Sequence, residues 1–207
     1  MSGVFNKSIS PFGSGQTMKI DLKGNKYSDL SLSKNWKRNL KRSNRVETNI
    51  CKVNSAEEIA GVYEDLSNIK GKSLFFSFEE ISNLLHSFKD DIHVYGITSN
   101  SSKIHAIRGF IVYKDSATDI FAASDDFARK NYLSYALFWH QINKCKSLSL
   151  TNFDFNGVDP ENNIGVYNFK KGTGAKLIKI IGEYECSNLG ILSKPIFKLI
   201  KLIKNNS

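Results

Sequence analysis

Apolar and polar positions alternate along this chain with two periods, and together they mark out an ordered series of elements. Met18 to Leu22 reads as a short strand. Trp36 and Leu40 lie four residues apart on one face of a helix that Ser31 or Ser33 can cap. Val46 to Val53 reads as a strand. A helix follows from Ser55 to Leu66, with Glu58 placed to complete a capping box. Another helix starts at Phe76 or Ser77 and runs through Phe88. Ile92 to Ile97 and Ile104 to Tyr113 predict a hairpin across a Ser/Asn turn, and Ala117 to Ala123 a third strand. Leu133, Ala136, Leu137, Trp139 and Ile142 recur with helical period, so one long helix is expected from Phe127 to Lys146, capped by Asp125 or Asp126. Leu150 to Phe155 and Ala175 to Glu185 read as strands, the second following a loop. Pro195 opens a basic amphipathic helix from Lys194 to Lys204. This order of elements predicts a mixed α/β domain with a central meander.

Length and composition narrow the class. The chain has 207 residues, enough for one domain with a full core. The reading is a flexible Ser/Gly-rich leader over 1–16, one domain over 17–190, and the basic tail helix over 191–207. No apolar run reaches the length of a membrane span, and the N-terminal residues lack the apolar region of a secretory signal. Cys51, Cys145 and Cys186 match no zinc spacing. Their odd number points to reduced thiols in the cytoplasm. A metal site is not expected. The four histidines (His86, His93, His105, His140) are scattered, none is paired with an acid or cysteine at ligand spacing, and they read as structural.

Charge adds a partner class. Lys and Arg number 29 against 20 Asp and Glu, a net charge of +9. This favours an anionic partner: nucleic acid, a phosphorylated substrate or an anionic membrane surface. The cations cluster. Lys34, Lys37, Arg38, Lys41, Arg42 and Arg45 occupy the polar side of the helix that carries Trp36, with no acid among them. They form either a solvated face or a track for phosphates.

The richest stretch for chemistry runs from Asp154 to Gly174 (DFNGVDPENNIGVYNFKKGTG). It contains a turn at Asp154-Phe155-Asn156-Gly157 and another around Asp159 and Pro160. Tyr167 and Phe169 then lead into Lys170, Lys171, Gly172 and Gly174. Two lysines and two glycines on a loop can hold an anionic group against bare backbone N–H donors; solvated surface lysines are the plain alternative. Asp154 is either a turn former or a carboxylate that receives the proton of an attacking amine. Asp159 reads as a turn former.

This stretch resembles the last part of the Fem-type transferases, a branch of the GNAT (N-acetyltransferase-like) fold. The shared features are the acidic-Gly turn, the Asn/Pro-rich loop and the Phe169-Lys170 pair followed by glycine. The segments 17–22 and 32–42 resemble the strand and basic helix that open the family's second GNAT domain. The resemblance covers about residues 15–185. It implies a GNAT fold with a central mixed sheet flanked by helices. The first of two tandem domains would be lacking or supplied by another chain.

The resemblance also implies acyl transfer. An aminoacyl or acyl group would move onto an amine of a cell-envelope precursor, such as a peptidoglycan peptide or an amino sugar of a surface polysaccharide. Lys170 would stabilise negative charge on the transferring group or its carrier. Asn156, Tyr167, Phe169, Lys171, Gly172 and Gly174 would line the site, and the basic helix would bind the carrier. No cofactor would be held tightly. The donor would be aminoacyl-tRNA or acyl-coenzyme A, and the acceptor a nucleotide- or lipid-linked precursor at the inner face of the membrane. In coenzyme-A-dependent GNAT enzymes a glycine-rich turn before the helix cradles pyrophosphate. Here that turn, 123–130, has no glycine and carries Asp125 and Asp126, with Arg129 and Lys130 as partial compensation. The departure favours aminoacyl-tRNA. Two alternatives stand beside this reading: a coenzyme-A-dependent N-acyltransferase acting on a nucleotide sugar, and a non-catalytic domain that only binds.

Overall fold

A computed structural model describes residues 4–7, 15–23, 28, 31–70, 76–100, 102–181, 184–187, 195 and 199, without the side chains of 4–7, 67–70 and 185–187. The chain order is β1 (Val4–Lys7), β2 (Gln16–Asp21), α1 (Lys34–Ser43), β3 (Asn49–Lys52), α2 (Ala56–Lys70), α3 (Phe78–Phe88), β4 (Ile92–Thr98), β5 (Ile104–Tyr113) and β6 (Ser116–Ser124). Then come α4 (Asp126–Lys130), α5 (Leu133–Ser147), β7 (Asn152–Gly157), α6 (Ile164–Gly172), β8 (Lys176–Lys179) and β9 (Tyr184–Ser187). Seven strands form one sheet in the order β3-β4-β5-β6-β7-β2-β8. Every neighbouring pair in it is antiparallel except β6 and β7, which run parallel. The expected α/β architecture, a mixed sheet flanked by helices, is therefore present.

The two faces of the sheet carry separate cores. On one, α1 and α5 bury Trp36, Leu137, Phe138 and Ile142 with Phe110, Phe153 and Phe155. On the other, α2 and α3 bury Ile59, Val62, Tyr63 and Ile81 against Val94, Ile107 and Phe121. Local chemistry sets the helix starts. Ser33 caps α1, its hydroxyl accepting from Trp36 N–H. Ser77 and Glu80 form a full capping box on α3. At α2 half of the expected box is seen: Glu58 N–H donates to the Ser55 hydroxyl, which itself donates to Glu57.

Four expectations are corrected. The long helix over 127–146 is broken into α4 and α5. Asn131 uses both its backbone N–H and its side chain on Phe127 O, and Tyr132 turns left-handed at φ 60°, so the ladder cannot continue. The run 175–185 is not one strand; β8 pairs with β2, while β9 pairs with β1 in a separate two-stranded sheet. Val4–Lys7, inside the expected leader, is therefore a strand. The Lys170 region is not a loop but the last turn of α6. The tail helix expected over 194–204 lies outside the described residues, apart from Pro195 and Leu199.

Candidate active site

The parallel pairing of β6 and β7 covers only Ser116–Thr118 against Asn152–Asp154. β6 continues to Ser124 and β7 to Gly157, so the strands part where each still has backbone groups to satisfy. The candidate site is built around that opening.

On the β7 side, α6 returns over the strand end and inserts Lys170. Its ammonium donates to the carbonyls of Phe155 at 2.8 Å and Gly157 at 2.7 Å. An ammonium has three protons, and among the described residues two are used, leaving the third for another acceptor. Lys170 is only 8% exposed. Burial pulls its pKa down to about 8; the Asp119 charge opposes this, the Arg108 charge adds to it, and Asp154 opposes it too. Most molecules therefore still carry the charge at neutral pH.

The counter-charge lies beneath. Arg108 of β5 donates to Asp119 of β6 and, from Nε, to Gln141 of α5 at 3.0 Å; Gln141 in turn donates to Asp119 at 3.2 Å. The guanidinium lies over the rings of Phe138 and Phe169, 5.2 and 5.4 Å from their centroids. Burial pushes the Asp119 carboxyl up, against Arg108, Gln141 and Lys170. This buried network was not anticipated. Its signal in the sequence is one Arg in β5 and one Asp in β6, each set among mostly apolar strand residues. On the β6 side of the opening, Ala122 N–H donates to the hydroxyl of Tyr63, which burial raises to about 12.

The end of β7 is fixed from outside by its own turn. Asp154 accepts from the Thr17 hydroxyl and from Asn156 N–H at 2.9 Å, and pairs with Lys19 at 3.0 Å. Asn156 is left-handed at φ 63°, and its side-chain oxygen accepts from Gly157 N–H. Asp154 and Asn156 thus shape the strand end, with three donors on the carboxylate. Asp159 accepts from Glu161 and Asn162 as a turn former.

The two glycines serve the chain itself. A Cβ at Gly172 would lie 2.9 Å from the Trp36 ring. One at Gly174, whose φ is +82°, would lie 2.6 Å from Ser31 O. The space expected for a ligand is taken by the entry to α1, which also bonds Ser33 N–H to Gly172 O and Trp36 Nε1 to Phe169 O. Phe169 packs between Trp36, Tyr135 and Phe138. Lys171 is exposed, its ammonium over the Tyr167 ring. Lys170 and Lys171 therefore point into different surroundings.

The cations of α1 lie on the side of the helix away from its buried Trp36. Lys34, Arg38, Lys41, Arg42 and Arg45 are exposed and Lys37 is half-buried. Arg42 donates to the Tyr132 hydroxyl and stacks on that ring, which joins α1 to the break between α4 and α5. Within α4, Arg129 pairs with Asp126 while Lys130 is exposed. Asp125 caps α4 through Ala128 N–H and also accepts from His105 Nδ1. His105 is thus paired with an acid, contrary to expectation. Among the described residues no group of His, Cys, Asp and Glu could hold a metal, and no helix is long and apolar enough to cross a membrane.

Comparison with known proteins places this geometry. The FemAB family model matches residues 97–205, more than half of the chain. No curated protein sequence matches. Among solved structures, FemX superposes with a TM-score of 0.75 at 14% identity, over 95% of this chain and 67% of that one. L-PGS from Bacillus licheniformis gives 0.60 at 16%, over 94% and 65%. A GNAT-family acetyltransferase from Staphylococcus aureus MU50 gives 0.50 at 13%, over 60% and 82%. The chain spans about two thirds of the length of the first two. With its GNAT-like sheet and the match that covers β5 through α6, the chain belongs to the FemAB family.

Proposed function

We propose that the protein is an acyltransferase that moves an aminoacyl or acyl group from an ester or thioester onto an amine of a cell-envelope precursor. The observation that carries this is the Lys170 ammonium, buried at the opening between β6 and β7 with two of its three protons committed among the described residues. A neutral amine attacks the donor carbonyl and the C–N bond forms. Lys170 donates to the oxygen as it gains charge, or to a carrier phosphate. The C–O or C–S bond then breaks, and the proton of the amine leaves with the alcohol or thiol. A preorganised donor in a dry site is worth about 3–4 kcal/mol in the transition state. Asp154 we assign to positioning β7, because three donors, from Thr17, Lys19 and Asn156, already hold its carboxylate.

Aminoacyl-tRNA is the donor this reading favours over acyl-coenzyme A. One of the N-terminal donors of α4, Ala128 N–H, is already bonded to Asp125, and the turn carries two acids where a pyrophosphate would lie. The exposed cations of α1, free of ion pairs among the described residues, suit a phosphate backbone. Membership in the FemAB family supports a peptidoglycan peptide or surface amino sugar as acceptor, reached from the cytoplasm or the inner face of the membrane. The test presents purified protein with labelled aminoacyl-tRNA or labelled acetyl-coenzyme A, each with amine-bearing envelope precursors. Transfer from aminoacyl-tRNA supports the reading. Transfer from acetyl-coenzyme A alone overturns the choice of donor, and transfer from neither leaves a binding domain.

A further inference from the structure

A second arrangement of reactive groups lies at the same end of the sheet, where β4 ends, β5 begins and β6 delivers α4. Ser99 Oγ stands 2.9 Å from His105 Nε2, and His105 Nδ1 stands 2.8 Å from Asp125 Oδ2. The other Asp125 oxygen accepts from Ala128 N–H at 2.8 Å, so the carboxylate cannot swing away. Asp125 N–H also donates to His105 O, which locks strand to turn. Phe127 lies against the imidazole, with ring centroids 4.4 Å apart. His105 and Asp125 are buried, whereas Ser99 is half-exposed.

This geometry settles the tautomer. A carboxylate only accepts, so Nδ1 carries the proton of the neutral ring. Nε2 then presents its lone pair, and the Ser99 hydroxyl donates to it. A hydroxyl facing a lone pair, on an imidazole oriented by a buried carboxylate, is the arrangement that activates serine. We infer that Ser99, His105 and Asp125 form a serine-nucleophile centre that takes acyl groups from activated esters.

The steps balance. Ser99 Oγ attacks the ester carbonyl and its proton passes to His105 Nε2. The ester C–O bond breaks, and the departing alcohol takes that proton, leaving acyl-Ser99. Water or an amine then attacks the acyl carbon and gives its proton to Nε2. The acyl group departs as acid or amide, and the proton returns to Ser99 Oγ. Ser99 is the nucleophile and His105 the base. Asp125 is a positioning residue that acts through His105. This centre shares no residue with the Lys170 site, and its test needs neither aminoacyl-tRNA nor an acceptor.

The experiment treats the full chain with a fluorophosphonate and maps the adduct by peptide mass spectrometry. One adduct on Ser99 is expected. It should vanish in Ser99→Ala and persist in Ser102→Ala, which alters an exposed neighbouring serine. His105→Gln should slow labelling about a hundredfold or more, the usual weight of a general base. Asp125→Asn keeps an N-cap on α4 but removes the carboxylate; it should slow labelling and flatten its rise with pH. p-Nitrophenyl acetate should give an acyl-Ser99 burst. No adduct on Ser99, or equal labelling rates in the wild type and a folded Asp125→Asn protein, would overturn the inference.

Discussion

Replacing Lys170 with Met should change how stability depends on pH, by an amount the structure sets. Burial holds the folded pKa near 8 against an ordinary 10.5. Between those values the unfolded chain keeps a proton that the folded chain has released, so stability rises with pH across that window. From about pH 7 to about pH 9.5 this one group should add about 2 kcal/mol, out of a full difference of about 3. The amine loses no hydrogen bond on the way, because its neutral form keeps two N–H groups for Phe155 O and Gly157 O. Lys170→Met removes the buried charge but strands both carbonyls, at about 1–3 kcal/mol each. Near neutral pH the two effects roughly cancel. The assay is urea unfolding of both proteins at the two pH values. Tyr63, whose raised pKa works in the opposite sense above its ordinary value of 10, cancels in the difference. The wild type should gain about 2 kcal/mol on the variant as pH rises. A difference that stays flat would mean that Lys170 is not a desolvated ammonium, and the charge argument for the site would fail with it.

In turnover, Lys170→Met should cost about a hundredfold or more and Lys171→Met little, and wild-type turnover should fall as pH rises through about 8; a worse Lys171→Met enzyme would reverse the assignment. Changing Lys37, Lys41 and Arg42 to Gln should weaken RNA binding and lower the slope of log affinity against log salt by about 2, and a salt-independent wild type would refute the phosphate track. Asp119→Ala leaves Arg108 and Lys170 buried without their anion and should cost about 3–5 kcal/mol in urea unfolding. Gly174→Ala forces a side chain into a left-handed position against Ser31 O and should cost about 2 kcal/mol or more, seen as a lower melting temperature.

The elements that could be read from sequence are those whose neighbours in the chain decide them. β4, β5 and β6 show their periods directly, and Ser33, Ser55 and Ser77 stand at the starts of α1, α2 and α3. α6 could not be read that way. It carries Gly165, Asn168 and Gly172, all poor helix formers, and follows a turn-rich entry. Tertiary contacts hold it instead: Phe169 enters the aromatic cluster of α1 and α5, and Lys170 anchors its last turn on β7. The break at Tyr132 has no Gly or Pro to announce it. Its hydroxyl meets Arg42, a residue remote in sequence. Lys170 was singled out from its motif, but its partners could not be. Asp119, Arg108 and Gln141 come from three other elements and meet only once the sheet is assembled.

The topology itself accounts for why charge collects at this point. Two parallel strands that part after three paired residues leave carbonyls on β7 without a ladder partner. Two of them, on Phe155 and Gly157, are met by Lys170, which is buried with its ammonium over the Phe155 ring. A donor has to come from a side chain, and Lys170 is long enough to arrive from the last turn of α6. Burying its ammonium is costly, and Asp119 offsets part of that cost. Asp119 is itself buried and needs donors on both oxygens, which Arg108 and Gln141 supply. Each group is thus required by the one before it, and the series ends at a proton on Lys170 that meets no acceptor among the described residues. A ligand oxygen that gains charge at the mouth of the opening would complete it.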